Sequence, residues 1–257
     1  MITRAKPNAN RINPGFVIDL KATYWNQTSF IWGKAKADVS WKKTTIEEQL
    51  RHHITPLPNS LCLHLIIETS DQKVIVSGIS EAKSNDYPQR KAVSLGEQVE
   101  ALDFRDSKDI QEEFITKWVQ RAVMEEFGLD DENYNKLFDS SSIRVLGFNL
   151  EGDIINYSFP TLIRMKVDCA TLHNFVKNSV DGKEISGFYC IDPKEIPGIC
   201  VNAKIYSVKD KSGIPKEDNS NEWHPSSYLR LLLYYLHRNG WKKTCRDFLN
   251  AEKAKKK

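Results

Sequence analysis

The sequence predicts an α/β fold, and three features support that prediction. A continuous apolar run at residues 61–68 and a strand-like segment at 73–79 flank a polar turn and have the length and spacing of a β-hairpin. Residues 109–127 then place apolar side chains at i, i+4 spacing, which is typical of a helix that packs one face on a sheet. Further strand-like segments follow at residues 143–148, 157–167 and 185–191.

Residues 1–58 precede the hairpin and are predicted to form an N-terminal extension. Residues 16–20 have the composition of a strand, and residues 45–53 begin like a helix that Thr44 or Thr45 can cap. Two prolines close to residue 58 indicate that a boundary lies there.

Four aromatic residues of this extension fall among polar residues. At such spacing aromatic rings can stack on nucleic-acid bases, but more often they anchor an extension onto a neighbouring domain. We adopt the second interpretation for Trp25, Phe30, Trp32 and Trp41.

Between the hairpin and the long helix, residues 92–95 predict a short strand that leads into a turn at Gly96. Either Ser107 or Asp109 can cap the helix that follows. Gly128 is predicted to end the helix, because glycine readily adopts the left-handed conformation of a C-terminal cap.

The C-terminal part predicts a short helix at residues 170–177, a loop at 209–222, and two helices at 227–237 and 241–251 on either side of Gly240. The first of these two helices is apolar over nearly all its surface, so it should pack against the domain or against a second subunit. A homodimer is therefore one expectation, and a small helix-turn-helix is the less favoured alternative.

Composition limits the classes of function. The 257 residues have a formal net charge of +3, which gives no large electrostatic footprint for nucleic acid. The five cysteines are widely spaced, so neither a zinc site nor a disulfide framework is predicted. Cys62, Cys169 and Cys190 lie among apolar residues and are interpreted as core thiols, and His64 is interpreted as a core histidine. No apolar run approaches membrane-spanning length, and a cytoplasmic, reducing setting is the default expectation.

The most informative segment is the end of the long helix. Glu125 and Glu126 are adjacent carboxylates, which raise each other's pKa unless a cation neutralises them. A hard divalent cation, Mg²⁺ or Mn²⁺, prefers such oxygen ligands. Helical spacing allows Arg121 to bridge Glu113 and Glu125. The alternative is an exposed acidic face with an arginine bridge, which many helices have.

This segment resembles the Nudix hydrolase signature, G-x5-E-x7-R-E-U-x-E-E-x-G-U, in which U is a bulky aliphatic residue. The chain departs from the signature at its opening glycine, which falls on Ser107, and at the Glu after the Arg, which is Ala122. An insertion over residues 101–108 explains the first departure. The matching positions are Glu113, Arg121, Val123, Glu125, Glu126, Gly128 and Leu129.

The resemblance implies a Nudix-type α/β/α sandwich with a mixed β-sheet over residues 59–200. Residues 1–58 and 201–257 would then be N-terminal and C-terminal extensions. It also implies that Glu125 and Glu126 bind the metal, Mg²⁺ or Mn²⁺, and that Arg121 and Glu113 act with them in catalysis. Gly96 would supply a backbone carbonyl close to the metal, and Glu97 follows it in the same cofactor-binding loop.

Two functions follow from this resemblance. The favoured one is metal-dependent hydrolysis of a pyrophosphate bond in a nucleoside-diphosphate-linked substrate. Ala122 can neither bind a cation nor accept a proton, so the alternative is a catalytically impaired module that binds a nucleotide metabolite as a sensor or scaffold. Nucleic-acid binding through the N-terminal aromatics and the basic tail is the least favoured alternative.

Several side chains are open candidates for supporting roles. Carboxylates that could replace the missing one are Glu97, Glu100, Glu112 and Glu184, and cations that could hold phosphate oxygens are Arg90, Lys91 and Arg164. Each of the three cations is more often an ordinary surface charge.

Overall fold

The computed structural model describes residues 2–8, 15–20, 24–52, 60–79, 91–100, 103, 112–151, 156–172, 185–202, 223–224 and 226–255. The strands are β1 (Ile2–Asn8), β2 (Gly15–Leu20), β3 (Leu61–Glu68), β4 (Val74–Ile79), β5 (Lys91–Val93), β6 (Leu95–Gln98), β7 (Phe138–Val145), β8 (Asn149–Glu151), β9 (Asn156–Met165) and β10 (Ile185–Ile191). The helices are α1 (Trp25–Ala37), α2 (Val39–His52), α3 (Glu112–Phe127), α4 (Asp131–Leu137), α5 (Ile196–Asn202) and α6 (Ser226–Lys255).

The predicted α/β class with a mixed sheet is confirmed. The main sheet has the strand order β10-β4-β3-β9-β7, with β5 paired to β4, β6 to β3 and β8 to β9. By contacts the chain divides into two compact units, of which the first comprises residues 1–63, 98–108 and 148–159 and the second residues 64–97, 109–147 and 160–257. The domain boundaries at residues 58 and 200 stay predictions.

The predicted hairpin is confirmed as β3 and β4. Every residue of β3 is buried, which is why its sequence is a continuous apolar run rather than an alternating one. Gln72 adopts the left-handed conformation (φ 64°) in the connecting turn, and its N–H donates to the Thr69 carbonyl at 2.8 Å. His64 is buried in β3, as interpreted, and its ring meets the His224 ring edge-on with 6.1 Å between centroids.

Helix α3 is confirmed, with its apolar stripe turned to the core. The buried side chains of this stripe are Phe114, Trp118, Val119, Ala122, Val123 and Phe127. Gly128 ends the helix with φ 62°, and the N–H of Leu129 donates to the Met124 carbonyl at 2.8 Å. That bond satisfies a carbonyl of the last turn, which is the reason for a glycine at this position. The predicted caps Ser107 and Asp109 lie outside the described residues.

Helix α4 was not expected, and its presence moves the start of the next strand. Asp130 caps it by accepting from the Asn133 N–H at 2.8 Å, and Tyr134 stacks on Phe138 with 5.5 Å between ring centroids. As a result β7 begins at Phe138, not at residue 143 as predicted. The helix is one of two turns with mostly polar residues, so it has no apolar periodicity that sequence patterns could detect.

In the first unit, β1 and β2 form an antiparallel hairpin, and β2 confirms the predicted strand. Helix α1 was not predicted; Trp32 is buried on it and Phe30 is 69% exposed. The predicted helix start at residue 45 is wrong, because Asp38 accepts from the Trp41 N–H at 2.8 Å and so caps α2 earlier.

In the second unit, the predicted pair of C-terminal helices is confirmed. Gly240 (φ 72°, ψ 166°) breaks α6 into two helical segments. Leu231, Tyr234 and Tyr235 of the first segment are buried in the same apolar cluster as strands β3, β4 and β9. The predicted helix at residues 170–177 is described only over residues 169–172, and the loop at 209–222 lies outside the described residues. Among the described residues no helix is long and apolar enough to cross a membrane.

The interpretation of Cys169 and Cys190 as free core thiols is wrong, because the two form a disulfide. A pair separated by 21 residues, on two elements whose packing is not evident from the sequence, gives no recognisable spacing. Cys62 is a buried thiol that is not part of a disulfide, as interpreted.

A buried carboxylate at the end of β3 links the sheet to α6. Glu68 accepts from Arg164 Nε at 2.9 Å and from the Tyr234 hydroxyl at 2.8 Å, and it also pairs with Arg238. Desolvation and the Glu68 charge raise the pKa of Tyr234 well above its ordinary value. The sequence gives one hint of this cluster, an acid that closes an otherwise apolar strand.

Burial also raises the pKa of Cys200 to about 12, from an ordinary value of 9.0. Because the unfolded thiol ionises first, this residue stabilises the fold fully below about pH 9, and the contribution is lost as the pH rises towards 12. We expect urea midpoints to fall between pH 9 and pH 11 more steeply for the native chain than for Cys200→Ala. Equal slopes in the two proteins would contradict the expectation.

Candidate active site

The end of α3 presents its acidic residues as predicted. Glu125 has a side chain that is 56% exposed, and Arg121 Nη1 donates to Glu125 Oε2 at 3.0 Å. Glu126 is half-buried. The arginine thus holds one carboxylate of the acidic pair at the surface by a charge-assisted hydrogen bond.

A second carboxylate reaches the same arginine from strand β6. Glu97 Oε1 lies 3.4 Å from Arg121 Nη1, and both side chains are largely buried, at 20% and 17% exposed. Glu97 and Glu125 therefore share one guanidinium nitrogen. The predicted bridge from Arg121 to Glu125 is present, and the described partner on its other side is Glu97. The side chain of Glu113 lies outside the described residues.

Ala122 occupies the helix position one turn before the acidic pair. It is fully buried, packed into the core face of α3 with Trp118 and Val119. Helical geometry places position 122 beneath both Glu125 and Glu126, at i+3 and i+4. A carboxylate at this position would have to leave the core face to reach solvent, and the alanine fits the packing that is present.

The turn predicted at Gly96 is wrong. Gly96 lies inside β6 and is exposed, and the break falls at Ser94 between β5 and β6. Ser94 is fully buried; its hydroxyl donates to the Ile75 carbonyl at 2.7 Å and accepts from the Ile67 N–H at 2.9 Å. Serine interrupts the strand because its side chain replaces the strand-to-strand hydrogen bonds of its neighbours.

The structure describes the side chains of two of the three cations considered for supporting roles, Arg164 and Lys91. Arg164 donates to the buried Glu68, which makes it part of the cluster at the end of β3. Lys91 is itself buried, with Nζ 5.9 Å from the centre of the Tyr189 ring. Arg164 lies at the surface, as the sequence suggested, but it is paired with Glu68, whereas Lys91 is not a surface cation. Side chains outside the described residues are those of Arg90, Glu112 and Glu184.

The acidic residues of the site offer oxygen ligands of the kind that a divalent cation binds. Three carboxylates, Glu97, Glu125 and Glu126, accompany one guanidinium, that of Arg121, which leaves a formal charge of −2. Oxygen donors with a net negative charge are what Mg²⁺ and Mn²⁺ prefer. In the part of the chain that the structure describes, no three acidic, histidine or cysteine side chains already stand together as a metal-binding group.

Comparison with known proteins gives structural matches only. No family model matches the chain, and no curated protein does. A MutT protein from Methanosarcina mazei Go1 is 11% identical, over 72% of this chain and 97% of its own, with a TM-score of 0.40. A MutT/nudix family protein from Enterococcus faecalis is 13% identical, over 67% of this chain and 57% of its own, with a TM-score of 0.32.

A third match is a bifunctional NMN adenylyltransferase/ADP ribose pyrophosphatase from Francisella tularensis, solved with AMP and a manganese ion. It is 12% identical, over 80% of this chain and 48% of its own, with a TM-score of 0.38. Two of these three matched structures are thus MutT or MutT/nudix family proteins. At these identities the similarity concerns the fold alone.

Proposed function

We propose that the protein is a metal-dependent hydrolase of a pyrophosphate bond in a nucleoside-diphosphate-linked substrate. The observation that supports this most is the pairing of Glu97 and Glu125 on Arg121. Charge-assisted hydrogen bonds of this kind orient carboxylates that bind a metal, and Glu126 follows Glu125 in the same turn of α3.

In this proposal Glu125 and Glu126 hold Mg²⁺ or Mn²⁺, and Glu97 replaces the carboxylate that Ala122 lacks. When bound, the ion neutralises negative charge on the diphosphate and lowers the pKa of a water molecule. Arg121 restricts Glu125 to one rotamer, since its guanidinium contacts that carboxylate and the Glu97 carboxylate through the same nitrogen. Gly96, exposed on β6, offers a backbone carbonyl without a side chain to obstruct the approach of a ligand.

Ala122 favours the second candidate function, a module that binds a nucleotide metabolite without cleaving it. Because this position is fully buried, the chain has replaced a possible metal ligand by a packing residue. A site with fewer carboxylates binds a divalent ion more weakly and has less capacity to activate water.

One assay distinguishes the two functions. We expect release of mononucleotide or phosphate from one member of a panel of ADP-ribose, NAD, dinucleoside polyphosphates and nucleoside triphosphates, with Mg²⁺ or Mn²⁺ present. Addition of EDTA should abolish the release. If no substrate is turned over but one of them raises the Tm, the sensor or scaffold replaces the hydrolase. Absence of both turnover and stabilisation would contradict both functions.

A further inference from the structure

Arg230, on the first segment of α6, is a buried arginine close to the candidate site. Only 2% of its surface is exposed. Its Nη2 donates to the Ser226 hydroxyl at 2.6 Å, a bond within the same helix. Burial of a guanidinium is costly unless its donors are satisfied, so its contacts identify what it holds in place.

Those contacts lie on both sides of the break between β5 and β6. Nη1 of Arg230 donates to the Val93 carbonyl and, at 3.2 Å, to the Leu95 carbonyl. Leu95 is followed directly by Gly96 and Glu97. The arginine therefore fixes the backbone two residues before the carboxylate that pairs with Arg121.

The same stretch of backbone is also held from the sheet. Besides the two bonds of its hydroxyl, Ser94 donates its N–H to the Leu65 carbonyl at 2.9 Å, and its carbonyl accepts from the Ser77 hydroxyl. Bonds from the sheet and from Arg230 thus fix the segment that leads into Glu97.

Further contacts extend along β5 from the residues that precede Arg230. The His224 N–H donates to the Lys91 carbonyl at 2.8 Å, and the Val93 N–H donates to the Ser227 hydroxyl at 3.3 Å. Lys91 and Trp223 form a parallel β-bridge. The C-terminal region thus contacts both the first and the last residue of β5.

We infer that Arg230 is a positioning residue of the candidate site, which acts through the β5–β6 backbone to set Glu97 against Arg121. The inference deepens the proposed function and rests on it. It makes the C-terminal helix part of the site, because a carboxylate supplied by a strand needs its backbone fixed as firmly as one supplied by a helix.

The test compares Arg230→Met and Arg230→Lys with Arg238→Met, which removes an arginine of the same helix that contacts Glu68 instead of the β5–β6 backbone. We expect Arg230→Met to lower kcat about 10-fold and to raise the Mn²⁺ concentration for half-maximal activity by a similar factor. KM for the substrate should stay within about 2-fold, and Arg230→Lys should recover part of kcat. Arg238→Met should keep both kcat and the Mn²⁺ requirement within about 2-fold of the native values.

A double variant makes the test specific to Glu97. If Arg230 acts through Glu97, Arg230→Met combined with Glu97→Gln should lose no more activity than Glu97→Gln alone. The inference would be overturned if the loss of activity in the double variant equalled the product of the two single losses. Native kcat and Mn²⁺ dependence in Arg230→Met would also overturn it.

Isothermal titration calorimetry with Mn²⁺ distinguishes failure of the hydrolase proposal from failure of the positioning role of Arg230. If the native chain binds Mn²⁺ but turns over no substrate, the hydrolase proposal fails, and weaker binding by Arg230→Met than by Arg238→Met still supports the positioning role. Equal binding by the two variants overturns the inference. Absence of Mn²⁺ binding in the native chain overturns the inference together with the proposed metal site.

Discussion

Replacing Glu125 by glutamine is expected to lower turnover about 100-fold or more, since even residues that only support a metal ligand cost 10–100-fold when changed. Glutamine keeps the size of the side chain and one acceptor oxygen, but it removes the charge that binds the cation and that strengthens the 3.0 Å bond from Arg121. Glu126→Gln should have an effect of similar size, because Ala122 in the preceding turn supplies no carboxylate in its place. The measurement is kcat under saturating metal for the substrate that the panel identifies.

Stability should change little in Glu125→Gln, which makes the activity loss interpretable. The side chain is 56% exposed, and an exposed i, i+4 ion pair contributes only about 0.3–0.5 kcal/mol. The matched control is Glu132→Gln, which removes a carboxylate from the exposed pair with Lys136 on α4. Turnover in Glu125→Gln equal to that of Glu132→Gln would exclude Glu125 from the site.

Replacing Glu68 by alanine is expected to destabilise the protein by about 3 kcal/mol, because removal of one partner leaves buried ion-pair groups uncompensated. Three donors lose their acceptor at once: Arg164, Tyr234 and Arg238. We place the effect at the lower end of the range because Arg164 is 57% exposed and can recover water as a partner. Urea denaturation of both proteins measures the difference.

The control for this second substitution is Glu132→Ala, which should stay within about 0.5 kcal/mol of the native chain. Tyr234→Phe removes a single donor from the same carboxylate and should cost about 1.5 kcal/mol, since hydrogen bonds to charged groups contribute more than neutral ones. An equal stability of Glu68→Ala and Glu132→Ala would show that the cluster at the end of β3 does not stabilise the fold.

The sequence was sufficient for the elements with a strong apolar period or a distinctive turn. The β3–β4 hairpin, α3 with its Gly128 cap, and the break at Gly240 were all predicted. Each of them has a local cause, so the residues that determine it are neighbours in the chain. Helix α4 and the early start of α2 were missed because their caps, Asp130 and Asp38, are single acids among many polar residues.

The candidate site was predictable only on its helical side. The i+4 spacing is enough to place Arg121 beside Glu125, and the structure has that contact. Glu97 was one of several acids that could join them, and the choice among these acids depends on how β6 passes α3. Arg230 gave no signal, because in sequence it is a single cation in an apolar helix, and its role depends on carbonyls more than 130 residues away.

The bond between Cys169 and Cys190 has a practical consequence for all of these comparisons. It closes a loop across a separation of 21 residues. Such a link reduces the number of conformations of the unfolded chain, which raises the free energy of unfolding by about 3 kcal/mol. A sample treated with a reducing agent and an untreated one are therefore two covalent species with different reference states. Free energies of unfolding for the variants can be subtracted from one another only after the thiol content of each preparation has been counted and found equal.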